Sequence, residues 1–282
     1  MAQNIKIFVI GHKAFEVPKS ELLVPIQAGS DINDVIRGLL HDNAGDNISA
    51  KNKFYCELTA QYYAVKNEEA DYYGFFHYRR YLNFSEKTSK KPYIYYDGAI
   101  ENLGDFINLG EAKAVISEYD LLLPRPENFY KTPYDHYAKS PQHEWKNALD
   151  NVLEIVKDFY PEMSGDIEDY VYKSTEHFFG NMYIMKKSLA NEYLDFLMKI
   201  FIEFDKRYND VPVRTQGFLA ERLFGIFFYH KRRDESFKYK YLQRVDVLHY
   251  FGKKTVRKIA YKLLPPSSRI RAFAKNIIKT PM

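Results

Sequence analysis

One histidine and two arginines stand where a buried strand is predicted to end. The apolar run of residues 72–76 is followed at once by the tetrapeptide His77-Tyr78-Arg79-Arg80. A guanidinium group presents a planar fork that fits phosphate oxygens, so two of them beside an imidazole could neutralise a leaving diphosphate without a metal ion. A surface cluster of salt bridges is the alternative interpretation of the same four residues.

Glu221 is the candidate general base. It stands beside Arg222 in the otherwise apolar segment 218–224, where burying a charge is costly unless the charge is paired or has a chemical task. A carboxylate within hydrogen-bond reach could remove the proton of an attacking hydroxyl group. The alternative is a buried ion pair of Glu221 with Arg222 or Arg214 that only holds the helix in place.

A segment rich in Tyr, His and Pro, at residues 132–143, offers three weaker base candidates. They are Asp135, His136 and His143. The segment shows no clear periodicity, and a lone histidine in such a place more often belongs to the plain protein surface.

The familiar metal and cofactor motifs are absent from the sequence. It contains no glycine-rich phosphate loop, no Gly-x-Ser-x-Gly and no His-Glu-x-x-His. It also lacks Asp-x-Asp, the pair that often holds a divalent ion against a diphosphate. The single cysteine, Cys56, excludes an intramolecular disulfide and a thiolate zinc site. We predict no metal site and no cofactor, although Glu69 and Asp71 leave metal dependence open.

Apolar runs alternate with helical patterns along the chain. Residues 5–10 form a β-rich run that ends in Gly11-His12-Lys13, which repeats the order of strand and polar loop found at residues 72–80. The helices are predicted at residues 52–67, 145–159, 188–208 and 217–229. This alternation indicates an α/β fold, in which the loops after the strands form the ligand crevice.

Length and composition define the class of protein. With 282 residues, 46% of them hydrophobic, the chain can form one large α/β domain or two small ones. Residues 1–10 lack a signal-peptide pattern, and no run approaches about 20 apolar residues. The 25 tyrosines suit a sugar-lined cleft, or simply replace Leu in the core. We predict a cytoplasmic protein that does not cross a membrane.

The basic residues are concentrated at the end of the chain. Residues 253–282 contain nine Lys or Arg and no Asp or Glu, in two short amphipathic helical patterns. We predict a domain at residues 1–250 and a tail at residues 251–282 that contacts anionic membrane. Docking of the tail on the domain is the alternative. Nucleic acid is not an expected partner, because the rest of the chain is net acidic.

Taken together, the motifs resemble a family of capsular and exopolysaccharide glycosyltransferases that long carried only the label of a domain of unknown function. The matching segments are His12-Lys13, residues 45–49 with Asn52, residues 55–59, Gly74 with residues 77–81, Asn181-Met182 and residues 217–223. They span about residues 5 to 250, so the joint match is far more specific than any one motif.

The resemblance implies a GT-A-like, Rossmann-type central sheet flanked by helices. It also implies transfer of a hexose, in some members galactofuranose, from a UDP-sugar donor to a lipid-linked glycan. By the same resemblance His12 and Lys13 border the nucleotide, Asp46, Asn47, Asn52, Glu57 and Thr59 line the donor pocket, His77, Arg79 and Arg80 face the diphosphate, and Asn181 contacts a sugar hydroxyl.

We interpret the chain as a glycosyltransferase of capsular, exopolysaccharide or O-antigen biosynthesis. It would act at the inner face of the cell membrane on a polyprenyl-diphosphate-linked acceptor. A non-catalytic carbohydrate-binding or membrane-peripheral assembly protein is the alternative. Asp46 and Asn47 could equally form an ordinary turn, and Glu57 and Thr59 could merely decorate a helix.

Overall fold

The computed structural model describes residues 3–86, 88–140 and 142–248, and these form two sheets with helices around them. The strands are β1 (Ile5–Gly11), β2 (Leu23–Gln27), β3 (Leu40–His41), β4 (Tyr72–His77), β5 (Arg80–Asn83), β6 (Tyr93–Tyr96), β7 (Leu121–Pro124), β8 (Glu127–Asn128), β9 (Glu176–His177), β10 (Tyr183–Lys186) and β11 (Tyr239–Val247). The α-helices are α1 (Asn52–Tyr55), α2 (Leu58–Asn67), α3 (Leu103–Phe106), α4 (Ala112–Ser117), α5 (Pro133–Lys139), α6 (Ala148–Phe159), α7 (Ser164–Ile167), α8 (Lys187–Arg207) and α9 (Thr215–Lys231). The predicted tail at residues 251–282 lies outside the described residues, so the domain boundary near residue 250 stays a prediction.

Four parallel strands, in the order β3-β2-β1-β4, form one part of the large sheet. Ile10 near the end of β1 lies beside Ile26 of β2 on one side and His77 of β4 on the other. Parallel strands end at the same edge of a sheet, and the loops that follow them form a common crevice. The loops after β1, β2 and β4 are therefore neighbours.

The other part of the sheet closes on itself. β4 pairs with β10 antiparallel, β10 with β7, β7 with β11, and β11 with β5, while β5 returns to β4 through a two-residue turn at Tyr78 and Arg79. The predicted α/β class is confirmed, but five of the strands form a hydrogen-bonded ring where an open sheet was expected. The tight turn after β4 is the physical reason, because it sends the chain back to where β11 can complete the ring.

Hydrophobic residues are buried on both faces of the sheet. Helices α2, α6, α8 and α9 contribute to a core that includes Phe75, Phe201 and Phe224. The opposite face is covered by a smaller core that includes Leu82 and Leu103. Helices α6, α8 and α9 begin and end within three residues of the predicted positions. Of the helices that the structure describes, none is long and apolar enough to span a bilayer.

The helix predicted at residues 52–67 is interrupted at Cys56. This residue has φ 53° and ψ −130°, a backbone conformation that separates α1 from α2. Asn52 Nδ2 stabilises the break by donating hydrogen bonds to the Cys56 carbonyl oxygen at 2.7 Å and to Thr59 Oγ1 at 3.0 Å. Ser49, which the sequence suggests as the cap of this helix, does not cap it, since its hydroxyl group donates to Asp42 Oδ1 at 2.6 Å. The prediction of one continuous helix was wrong.

Candidate active site

The loops after β1 and β4 meet around the ring of Tyr78. His12 packs edge-on against this ring with centroids 5.9 Å apart, and Lys13 Nζ lies 5.3 Å from the ring centroid. The Arg79 guanidinium group lies 5.7 Å from the same centroid. The structure therefore brings together the polar residues that follow the two strands, and Tyr78, which was not singled out, is the surface on which they assemble.

His77 lies among these cations as a neutral side chain. Burial lowers its pKa well below the ordinary value, and the charges of Arg80, Arg79, His12 and Lys13 lower it further. Among the described residues, its buried Nδ1 atom has no hydrogen-bond partner. The sequence interpretation had imidazole and guanidinium groups sharing the positive charge. In the structure the charge belongs to the lysine and the arginines, because a cationic His77 beside them would be repelled.

Arg80 extends from β5 towards the turn that precedes β10. A Cβ atom on Gly180 would lie 3.3 Å from Arg80 Nη1, so the guanidinium group passes directly over this glycine. On its other side, Arg80 Nε lies 3.8 Å from Asp246 Oδ1 on β11. Burial and the neighbouring Arg244 lower the pKa of Arg80, which retains its charge at neutral pH because arginine ordinarily titrates above pH 12.

Glu221 is held by the same turn. Its Oε1 atom accepts a hydrogen bond from the Gly180 backbone N–H at 2.7 Å, and its Oε2 atom accepts one from Arg222 Nη1 at 2.8 Å. The side chains of Glu221 and Arg222 are 15% and 2% exposed, so the buried ion pair considered as the alternative is present. Burial nevertheless raises the pKa of Glu221, against the opposing effects of Arg222, the Gly180 N–H and Arg80.

A second carboxylate, Glu57, lies close to Glu221. Asn181 Nδ2 donates to Glu57 Oε1 at 2.7 Å and to the Gly217 carbonyl oxygen at 3.2 Å. Burial raises the pKa of Glu57, the Asn181 hydrogen bond opposes this, and the charge of Glu221 raises it further. Two buried acids whose pKa values are both raised are an arrangement suited to proton transfer.

Three unusual backbone conformations surround the two carboxylates. Cys56, Asn181 and Arg214 have positive φ angles of 53°, 47° and 66°. Non-glycine residues adopt such conformations at a free-energy cost, and they cluster where a precise side-chain arrangement is required. Burial raises the pKa of Cys56 to about 12, so the thiol stays protonated and acts as a packed residue, as interpreted from the sequence.

The structure does not bring Asp46 and Asn47 to this site. Asp46 Oδ1 accepts a hydrogen bond from the Tyr62 hydroxyl at 2.8 Å, and its N–H donates to Asn67 Oδ1 at 3.0 Å. Asn67 is the last residue of α2, whereas Glu57 precedes the first, so about 15 Å of helix separates them. The contacts of Asp46 and Asn47 fit the alternative interpretation as a turn. Asn52 and Thr59 stabilise the break at Cys56, the residue that precedes Glu57.

One contributor to the site, Arg214, was not recognised as a site residue from the sequence. Arg214 precedes α9 and acts electrostatically on His12, Cys56, Glu57 and Glu221, whose pKa values its charge lowers. The sequence named it only as an ion-pair partner.

Asp42, which the sequence did not single out, is a fully buried carboxylate that supports the loop after β2. Its oxygens accept the N–H groups of Gly29 at 2.8 Å and Ser30 at 2.9 Å. An acidic residue in a short polar stretch gave no signal for this role.

No group of three or more His, Cys, Asp or Glu side chains within residues 3–86, 88–140 and 142–248 could hold a metal ion. The two acids that left the question open lie at the amino end of β4, away from the site. Asp71 Oδ2 accepts the Asn4 N–H at 2.7 Å, and Glu69 Oε1 pairs with Lys187 Nζ at 2.5 Å. The predicted absence of a metal site stays a prediction.

Residues 6–232 match the family described as "Domain of unknown function (DUF4422)". Among solved structures, the chain is similar to the apo structure of WbbM, a bifunctional glycosyltransferase, with a TM-score of 0.80 and 32% sequence identity. The similarity covers 86% of this chain and 45% of the WbbM chain, so this chain spans less than half of that relative. No curated protein matches the chain. The resemblance carried by the sequence motifs is thus confirmed, and the chain belongs to the DUF4422 family.

Proposed function

We propose that the chain is a glycosyltransferase that moves a sugar from a nucleotide-diphosphate donor to a glycan acceptor during polysaccharide biosynthesis. One observation carries the proposal: two carboxylates with raised pKa values, Glu57 and Glu221, lie beside a cationic group at the carboxyl ends of parallel strands. The similarity to WbbM, a glycosyltransferase, supports the same reaction class.

The cationic group suits the departing diphosphate. Lys13 and Arg79 converge on Tyr78, and Arg80 reaches over Gly180 towards Glu221. When the bond between the anomeric carbon and the phosphate oxygen breaks, the electron pair goes to that oxygen. Fixed positive charges stabilise it there more than they stabilise the bound donor. We infer that these residues do the work that a divalent cation does in other nucleotide-sugar enzymes.

Glu221 is the proposed base. An acceptor hydroxyl attacks the anomeric carbon, a new carbon–oxygen bond forms, and the hydroxyl proton passes to the carboxylate. A carboxylate paired with an arginine is ordinarily a weak base, but burial raises the pKa of Glu221 and increases its proton affinity. Glu57 accepts the Asn181 hydrogen bond and so holds that residue in place.

The finer identity belongs to the same proposal. We propose a GT-A-like arrangement, with the nucleotide at the edge where β1, β2 and β4 end. The donor is a UDP-sugar, galactofuranose or another hexose, and the acceptor is a polyprenyl-diphosphate-linked glycan of a capsule, exopolysaccharide or O-antigen. The tail at residues 251–282 would bring the protein to the inner face of the membrane as a peripheral protein.

Release of UDP from a panel of UDP-sugars, UDP-galactofuranose included, tests the proposal. We expect turnover with at least one donor, a melting temperature raised by UDP at millimolar concentration, and turnover that persists in EDTA. The variants Arg79→Ala and Glu221→Ala should both lose turnover. If UDP leaves the melting temperature unchanged and no donor is consumed, the non-catalytic carbohydrate-binding protein becomes the better reading. Activity that vanishes in EDTA and returns with manganese would overturn the metal-independent mechanism alone.

A further inference from the structure

Four aromatic rings form a compact cluster next to Glu221. They come from three separate segments of the chain, and their six centroid separations all lie between 5.1 and 5.4 Å. The members of this aromatic cluster are Phe129, His136, His177 and Phe179. His177 is buried, whereas the other three are partly exposed. The cluster is therefore anchored in the protein interior and is accessible to solvent on its outer side.

Arg222 joins the aromatic cluster to the carboxylate. Its Nη1 atom donates to Glu221 Oε2 at 2.8 Å, and its Nη2 atom lies 3.1 Å from His136 Nδ1. The guanidinium group also lies 5.6 Å from the centroid of Phe179. Phe179 directly precedes Gly180, whose N–H holds the other oxygen of Glu221. Phe179, one of the partly exposed rings, is therefore one residue away from the glycine that holds the proposed base.

Both histidines of the cluster are neutral donors. An arginine only donates hydrogen bonds, so Nδ1 of His136 must accept and its proton must lie on Nε2. Burial and the Arg222 charge lower the pKa of His136 to about 2, which keeps the ring uncharged across the working pH range. His177 Nε2 donates to the Lys131 carbonyl oxygen at 2.9 Å. Within the described residues, no group accepts a hydrogen bond from Nε2 of His136, which leaves this N–H for a ligand.

The aromatic cluster differs in polarity from the cationic group. A donor diphosphate gains from Lys13, Arg79 and Arg80, whereas the aromatic cluster offers partly exposed rings and a neutral N–H. Ring faces pack against the apolar C–H face of a sugar, and a neutral N–H donates to a hydroxyl oxygen without selecting an anion. The cationic group and the aromatic cluster thus suit two different reactants.

We propose that Phe129, His136 and Phe179 form the binding site for an uncharged hexose at the end of the acceptor glycan, with His136 Nε2 donating to one of its hydroxyl groups. This inference rests on the proposed function, because it supplies the partner for the donor side. His136 cannot itself be the base, since its only lone pair faces Arg222. It orients the sugar so that another hydroxyl reaches Glu221.

The test uses saturation-transfer NMR with octyl galactoside and octyl glucoside as probes, on the full chain in the presence of UDP. We expect transfer to a hexoside in the native protein, and binding weakened about tenfold or more in Phe179→Ala and His136→Phe. The second variant keeps an aromatic ring and removes both ring nitrogens, the Nε2–H that faces the ligand and the Nδ1 acceptor of Arg222. Phe106→Ala, a partly exposed phenylalanine on α3, is the matched control and should bind like the native protein.

The melting shift produced by UDP separates the two proposals. A variant that keeps this shift and loses hexoside binding is folded and supports the acceptor site. Absence of saturation transfer in the native protein, or equal transfer in all variants, would overturn the acceptor site even if UDP still binds. A native protein that binds hexoside but shows no UDP shift would instead remove the proposed enzyme function.

Discussion

Asn181 donates a 2.7 Å hydrogen bond from Nδ2 to Oε1 of Glu57, across 124 positions of the sequence. Asn181 itself adopts φ 47°, and its carbonyl oxygen accepts from Gln61 Nε2 at 2.7 Å. Gln61 in turn accepts the Tyr183 hydroxyl at 2.6 Å. A chain of hydrogen-bonded side chains therefore holds the Glu57 carboxylate in position. The orientation of Glu57 thus depends on residues that are far from it in the sequence.

Glu57→Gln should change the pH dependence of stability. Burial raises the folded-state pKa of Glu57 above the unfolded value near 4.5. The folded protein therefore loses stability as the pH rises from the unfolded-state pKa to the folded-state pKa, because the buried carboxyl group must then ionise. Glutamine does not titrate and keeps an oxygen for Asn181. We expect the variant to match the parent in melting temperature near pH 4 and to exceed it at pH 8, with transferase activity impaired.

Thermal unfolding at pH 4, 6 and 8 measures this difference. Glu162→Gln serves as the control, because Glu162 is exposed. A difference from the parent that stays constant across the three pH values would show that the folded-state pKa of Glu57 is not raised.

Glu221→Gln should separate binding from turnover. The amide can still accept the Gly180 N–H, but it cannot take a proton from an acceptor hydroxyl. Loss of a general base lowers the rate about 10² to 10⁴-fold, and we expect turnover to fall in this range while the UDP-induced melting shift persists. Steady-state UDP release and a thermal shift on the same preparation check this. Turnover within a factor of two of the parent would remove Glu221 from the mechanism.

Asp246→Asn should destabilise the protein strongly. Arg244, 8% exposed, donates from Nε to Asp246 Oδ1 at 2.8 Å and from Nη2 to Oδ2 at 3.2 Å, and from Nη1 to Glu127 Oε1 at 2.5 Å. Removing one carboxylate leaves a buried cation under-compensated, which typically costs about 3–5 kcal/mol. Urea unfolding should show a loss towards the lower end of that range, because Glu127 remains.

An exposed ion pair provides the matched control for this experiment. Asp158 accepts from Arg207 Nη2 at 3.1 Å, but the Asp158 side chain is 55% exposed. Solvent screens such a pair, so Asp158→Asn should leave the free energy of unfolding unchanged within error. Equal losses in the two variants would indicate that the Arg244 network is no more important than a surface contact.

Gly217→Ala should loosen the start of α9. A Cβ atom at this position would lie 3.0 Å from Cys56 Sγ and 3.1 Å from its Cβ, closer than such atoms ordinarily approach. The shift would also disturb the Gly217 carbonyl oxygen that accepts from Asn181. Overpacking of this kind costs about 1–3 kcal/mol. Gly110→Ala, where a Cβ would meet nothing within 4 Å, is the control, and urea unfolding of both variants gives the comparison.

The sequence by itself determined the α/β class, the positions of the long helices and the order of strand and polar loop at His12 and His77. These features depend on local periodicity and on where an apolar run ends, and both signals come from residues that are close together in the sequence. It also offered a buried ion pair of Glu221, with Arg222 or Arg214 as the partner, because charges in an apolar helix have few other partners. The turn chemistry at Asp46 was equally local, and the structure agrees with that interpretation.

Only the tertiary structure decided which of the predicted residues share a site. Glu57 meets Asn181 and Glu221 because the break at Cys56 turns the chain and α9 packs against it, and neither event has a local signal. The ring of strands likewise depends on pairing between β4 and β10, which lie more than 100 residues apart in the chain. Local patterns specify faces and ends of elements, whereas long-range packing sets which ends come together and therefore which charges interact.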